Sequence, residues 1–408
     1  MEKKAIEYPK LREGVEAIPV VHEGRQYVLL KDQLGFSERS LLLSPAIIPV
    51  LIKMDGKNSI RDLQLHFIQT TGQFILKEKI EELIAELEES LFLEGERYEE
   101  AKRKQIEEFI NSPIRKATYA GKSYPKDREE LKKMIDSFFD PRRGGPGKPN
   151  NVKNSKKIIG FVAPHIDLNL GGPTYAHGYK RLLEAHIPKK WIILGTSHGI
   201  LENLFAITYK DFETPFGILD TDKDLISFIK DNVSFNVFEE EFSHKNEHTI
   251  EFQSIFFSYF WPDVKIIPVL CYFDVQIEDE DKKKIDEMIK VLREIVLNKD
   301  VGIAASVDFA HVGPRYGDRF IPNQSVVNSN LEMDKLLLDL LVKPDGDRFL
   351  EILRNENNRR KICGLAPLYV IAKVLEGIAS GEVTGHNYGY VDNQNSFVTF
   401  ASMVYYKK

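Results

Sequence analysis

The stretch Ile158-Ile159-Gly160-Phe161-Val162-Ala163-Pro164-His165 decides how this chain is read. A short aliphatic run closed by turn-prone residues reads as a buried strand. The pattern returns in Trp191–Leu194, followed by His198, and in Val301–Val307, followed by His311. In an open parallel sheet, residues just past the carboxyl ends of the strands line one crevice. Imidazoles far apart in sequence are thereby predicted to meet. Imidazole is both the commonest metal ligand and the natural proton carrier near neutral pH. One histidine at a strand end is ordinarily a structural residue, but three in the same topological position point to a metal or acid–base site.

Outward from this stretch, strand-like and helical runs alternate. Ile158–Val162 leads to a helix around Tyr175–Leu183 and then to the strand Trp191–Leu194. Val264–Leu270, the helix Ile285–Leu297 and Val301–Val307 continue the rhythm. It is the signature of an α/β domain with a central, mostly parallel sheet flanked by helices. Before about residue 115 the character differs. Val15–Val21 and Gln26–Leu30 alternate as a hairpin around His22–Arg25, and a helical run then reaches Met54. Ser59 with Asp62 resembles a capping box opening a helix through Thr71. Ile80, Leu83, Ile84, Leu87 and Leu91 have helical spacing, and a charged amphipathic helix follows over about Tyr98–Ile110. A small helix-rich domain over residues 1–112 and an α/β domain over 113–408 are therefore expected. Pro141–Lys157, rich in Gly, Pro, Asn and Lys, reads as a solvated loop.

Composition narrows the function. The 408 residues carry a net charge of −6 without a long Lys/Arg stripe, so nucleic acid is not an expected partner. The opening MEKKAIEYPKLREG has no apolar signal core. The most apolar stretch, Leu41–Ile52, is too short for a bilayer and holds two prolines, so no membrane partner is expected. Two cysteines make no disulfide framework, and a cytoplasmic location is expected.

Further residues carry chemistry. Asp308 shares the loop Asp308-Phe309-Ala310-His311, where it either orients an imidazole or caps the next turn. Cys363 precedes Gly364 and the helical run Pro367–Gly377, a place where the helix dipole lowers a thiol's pKa. Cys271 ends an apolar strand and reads as a buried structural thiol. Glu247-His248-Thr249-Ile250-Glu251 puts two carboxylates four apart, on one face of a helix if helical, with His248 beside them; the plainer reading is an exposed helix start. Gly144-Gly145-Pro146-Gly147-Lys148 lacks the Ser/Thr and the feeding strand of a phosphate loop, and Gly171-Gly172 lacks a dinucleotide fingerprint.

Six segments in order carry a resemblance: Ala163-Pro164-His165, Ala176-His177-Gly178-Tyr179-Lys180, Leu194-Gly195-Thr196-Ser197-His198, Glu247 to Glu251, Asp308 to His311, and Cys363-Gly364. With Thr118-Tyr119-Ala120-Gly121-Lys122-Ser123-Tyr124-Pro125 they resemble the Memo family, known in prokaryotes as AmmeMemoRadiSam system protein B. The likeness runs from about Pro113 to the C-terminus. It implies a fold similar to class III extradiol dioxygenases, with His165, His198 and Cys363 as metal ligands. It also implies His311 as an acid–base histidine with Asp308 beside it, and His248 and His177 as cleft residues. Dioxygenases hold iron with two histidines and a carboxylate; a thiolate in the third place favours copper or a thiolate-bound iron. Ile166-Asp167 and Val312-Gly313 stand where the family usually keeps aromatic residues, so the pocket wall is expected to differ.

The N-terminal part is similar to PqqD-like winged-helix domains, which bind peptides; the acidic helix Glu81–Glu89 argues against a DNA-binding winged helix. Two functions follow. One is a metal-dependent redox enzyme acting on an unidentified small molecule or peptide, with a radical-SAM protein as pathway partner. The other is a non-catalytic module that binds a peptide or protein in the same cleft.

Overall fold

A computed structural model describes residues 6–32, 34–150 and 156–408. Residues 151–155 of the expected loop Pro141–Lys157, and the first five of the N-terminus, lie outside the described residues. The chain divides into two compact units, Met1–Asn111 and Ser112–Lys408.

In the first unit, β1 (Val15–His22) and β2 (Arg25–Asp32) form the expected hairpin. Glu23 and Gly24 both take positive φ, 49° and 74°, as a two-residue turn with the handedness of the flanking strands requires. The run expected to be helical up to Met54 begins instead as β3 (Ser40–Leu43), antiparallel to β2. Leu41 and Leu43 alternate with more exposed neighbours, a period of two, and the prolines 45 and 49 hold the helix α1 to Ile48–Ile52. In α2 (Ile60–Thr71) Ser59 and Asp62 form the capping box, and Gly72 closes the helix at φ 69°. α3 (Lys77–Glu89) buries Ile80, Leu83, Ile84 and Leu87 in the core with Val50, Leu63 and Phe67, and α4 is Glu96–Asn111.

The second unit opens with β4 (Ile114–Arg115) and α5 (Arg128–Ser137). Then come β5 (Ile158–Ala163), α6 (Leu168–Leu183) and β6 (Lys190–Thr196). Three short strands, β7 (Phe205–Ile207), β8 (Asp211–Thr214) and β9 (Gly217–Leu219), lead to α7 (Lys223–Asp231). α8 (His248–Phe260), β10 (Lys265–Cys271), α9 (Asp279–Asn298) and β11 (Val301–Ser306) restore the alternation. β12 (His311–Val312), α10 (Gln324–Val342), α11 (Gly346–Asn355), α12 (Leu365–Leu375), β13 (Ala379–Tyr390) and β14 (Phe397–Lys407) complete it.

Eight strands make one mixed sheet in the order β12-β14-β5-β11-β6-β10-β7, with β13 on β14. Only β5, β11, β6 and β10 run parallel to one another. β14 joins β5 antiparallel, β12 and β13 pair antiparallel with β14, and β7 with β10. The expectation of a mostly parallel sheet thus holds for its centre alone. For β13 and β14 the reason is simple: they follow each other through a short turn, which allows only antiparallel pairing. β5 and β11, at the centre, are buried along their whole length, as strands covered by helices on both faces must be. Among the described residues no helix is long and apolar enough to cross a membrane.

Candidate metal centre

β5, β11 and β6 are neighbours, so the segments after Ala163, Ser306 and Thr196 emerge side by side. His165 and His198 follow their strands directly, and Asp308 follows β11. The third imidazole in reach comes from α8 rather than from a strand. Possible ligand atoms of His165, His198 and His248 lie within 4.8 Å of one another. The ring centroids form a triangle of 5.2, 5.3 and 5.0 Å.

The sequence places α8 locally as well. Gly195 has no side chain where a Cβ would sit 2.6 Å from Ile250 Cγ1 and 2.7 Å from Thr249 Oγ1. This close approach lets the Thr249 hydroxyl donate to the Thr196 carbonyl at 3.0 Å, which seats the first turn of α8 on the end of β6. Glu247 is the N-cap of that helix, accepting from the Thr249 N–H. It also accepts from the His198 N–H at 2.9 Å and lies 3.1 Å from His198 Nδ1 and 3.2 Å from His248 Nδ1. Burial opposes the charge of Glu247, but His198 and the hydrogen bonds from both rings outweigh it and hold its carboxyl well below the ordinary range. His198, its ring open to solvent on one side, is pushed well above its ordinary value, the Glu247 carboxylate outweighing desolvation.

His165 is 3 % exposed. Burial, then the facing His198 and His248, push its imidazole well below the ordinary value, so it is neutral. Its Nδ1 lies 3.0 Å from the Ser306 carbonyl, which only accepts, so Nδ1 carries the proton and Nε2 keeps a lone pair. Cys363 Sγ sits 3.2 Å from that Nε2, and Asp308 Oδ2 3.5 Å from it. The Asp308 carboxylate also accepts from the His165 N–H at 3.1 Å, and burial pushes its acid up to about 7. Asp308 thus holds the backbone of His165, with its second oxygen 3.5 Å from the ring. The helix-dipole expectation for Cys363 is reversed: burial pushes this thiol up, and the short approach to α12 does not overcome desolvation.

His311 lies outside the three-histidine group. Its Nδ1 is 3.0 Å from the Phe309 carbonyl, its N–H donates to the Arg360 carbonyl, and its ring meets Tyr316 edge-on. Burial pushes it down to about 4, leaving it neutral. His177 does not reach the centre: its Nε2 is 2.9 Å from the Gly144 carbonyl. Glu247 and Glu251, grouped by their spacing, part company. Glu251 is buried with Arg115, Tyr119 and Tyr124, away from the imidazoles. The exposed helix start that competed with the site reading fails for both, since Glu247 is 8 % and Glu251 0 % exposed. The role of Glu247 escaped the sequence reading; its one signal was a carboxylate directly before His248 at the head of an apolar helix.

Just upstream, buried His244 faces the Ala206 carbonyl at 3.0 Å. Burial pushes it down to about 3 from an ordinary 6.5. The unfolded chain therefore binds this proton first, so the stability His244 lends is complete above pH 6.5 and is lost as pH falls toward 3. His244→Gln should flatten the dependence of unfolding free energy on pH in that range by up to about 1.4 kcal/mol per pH unit. Parallel slopes for the two proteins in denaturant titrations would sink this account.

A family model described as Memo-like protein matches residues 115–404. A MEMO1 family protein of Aquifex aeolicus is 30 % identical over 383 residues, covering 93 % of this chain and 96 % of that protein. MEMO1 family proteins of Nitrosopumilus maritimus and Pyrococcus furiosus are 28 % and 29 % identical, covering 67 % and 71 % of this chain and 92 % and 98 % of their own.

Proposed function

The chain belongs to the Memo family, and on that footing we propose that its strand-end crevice is a metal-dependent redox centre. In this reading a non-haem iron or copper ion is held by His165, His198 and Cys363, with His248 a further donor. The observation that carries it is the convergence of possible ligand atoms from three imidazoles within 4.8 Å, with the Cys363 sulfur 3.2 Å from Nε2 of His165. The donor set fits: imidazole suits iron and copper, and a sulfur ligand favours copper(I) or a thiolate-bound iron over the carboxylate-ligated kind.

When bound, the ion supplies an electron partner and polarises whatever substrate it touches. The protein's residues do the rest. His165 presents a neutral imidazole held at Nδ1 by the Ser306 carbonyl, while its backbone N–H donates to Asp308. Cys363 has to shed its proton before its sulfur can donate, so loading releases protons and weakens as pH falls. Asp308, up near 7, suits proton exchange near neutral pH better than His311, down near 4, which is then a proton acceptor only toward strong acids.

The likeness to class III extradiol dioxygenases belongs to this proposal, supported by histidines set just past parallel strands. So does the PqqD-like, winged-helix character of the first unit, supported by its hairpin and capped helices. A cytoplasmic peptide-modifying route shared with a radical-SAM protein is the corresponding expectation for partner and substrate.

Protein purified without oxygen should retain one iron or copper per chain, and His165→Ala or Cys363→Ala should remove it. Full metal occupancy in either variant, measured by elemental analysis, would overturn the ligand assignment. Peptide binding in the cleft that is indifferent to chelator would favour the non-catalytic module instead.

A further inference from the structure

Glu247 stands between two of the proposed donors and can do something no single ligand can. Its carboxylate is met by four donors: the Thr249 N–H at 3.1 Å, the His198 N–H at 2.9 Å, and the Nδ1 atoms of His198 and His248 at 3.1 and 3.2 Å. A carboxylate has about four lone-pair positions and no proton to give. Each ring can therefore use Nδ1 toward Glu247 only as a donor. In a neutral imidazole that forces the lone pair onto Nε2. The two rings lie nearly parallel, 18° apart with centroids 5.0 Å apart, so both lone pairs are presented from one side.

We propose that Glu247 is a positioning residue that sets the tautomers of His198 and His248 together, making the pair available to a transition-metal ion as Nε2 donors. The inference rests on the metal reading above and names how this chain builds the pair. His165 has its own acceptor in the Ser306 carbonyl and is independent of Glu247.

The test is Glu247→Gln, which keeps the shape. A carboxamide offers one oxygen and one NH2, so its oxygen serves one Nδ1–H while its NH2 faces the other ring. That ring turns to the Nε2–H form and is lost as a ligand. Nitrogen-15 spectra of metal-free protein at alkaline pH, with the signals of His198 and His248 assigned, should show both of these rings as Nδ1–H in the parent and one of them in Glu247→Gln. Zinc affinity, read by competition with a chelating dye, should fall by about 10–100-fold. Glu247→Asp, which keeps an acceptor-only group, should lose less than the carboxamide. His198 and His248 both remaining Nδ1–H in Glu247→Gln, or zinc binding equal to the parent, would overturn the inference while leaving the metal reading intact. A parent that binds no zinc, iron or copper overturns the metal reading, while the tautomer spectra still judge Glu247.

Discussion

Glu251→Ala is expected to destabilise the Ser112–Lys408 unit by about 3–5 kcal/mol, the cost of breaking a buried ion pair from one side. Both Glu251 and Arg115 side chains are fully buried and paired. Glu251 also accepts from the Thr118 and Tyr119 N–H groups and from the Tyr124 hydroxyl, so alanine strands four donors. Arg115 in turn donates to the His244 and Glu247 carbonyls at 3.0 and 2.9 Å, tying the segment that leads into α8. The guanidinium left behind has no carboxylate, which is the dominant loss; a residual cavity adds to it. Denaturant titration of both proteins measures the difference. A loss below about 1 kcal/mol would mean the guanidinium finds water, and would sink the assignment of Glu251 as its obligatory partner. Replacing both residues by apolar ones of similar volume should cost less than Glu251→Ala alone.

Arg360→Met should cost a similar amount and act closer to the centre. Arg360 is 6 % exposed and holds Asp334, itself fully buried, at 2.7 Å and Glu356 at 2.9 Å. Its own carbonyl accepts the His311 N–H. The surrounding segment bends through Asn357, Asn358 and Lys361 at φ 51°, 42° and 53°, conformations that side-chain-bearing residues hold only under constraint. Two residues on is Cys363. With the guanidinium gone, Asp334 keeps only His386 as partner, at 3.3 Å, and the bent segment loses its anchor. The expected result is a loss of about 3–5 kcal/mol together with faster alkylation of Cys363 in native protein. A destabilised variant with an unchanged alkylation rate would separate the ion pair from the placement of the thiol.

The strand-end histidines were legible because a buried strand is a short apolar run and a crevice follows its end, a rule local to Ile158–His165 and Trp191–His198. His248 and Glu247 obey no such rule. They enter from the head of a helix, and what brings them to β6 is the missing side chain of Gly195, which a sequence displays but does not interpret. The thiol was legible as a residue and misread in its chemistry, since burial outweighs a helix end and burial is a property of the whole fold. The antiparallel half of the sheet stayed hidden for a related reason: Phe397–Lys407 reads as an apolar run whose partner, β5, lies more than half the chain away.

That pairing bears on how the molecule comes into being. β5 sits between β11 and β14, so its two neighbours are Val301–Ser306 and Phe397–Lys407. During synthesis β5 emerges early and must wait, edges bare, for both. Contacts of such sequence separation make folding slow and expose sticky strand edges meanwhile. His165 stands at the end of this strand, so the crevice that gathers His165, His198 and Cys363 depends on the slowest kind of contact the chain makes.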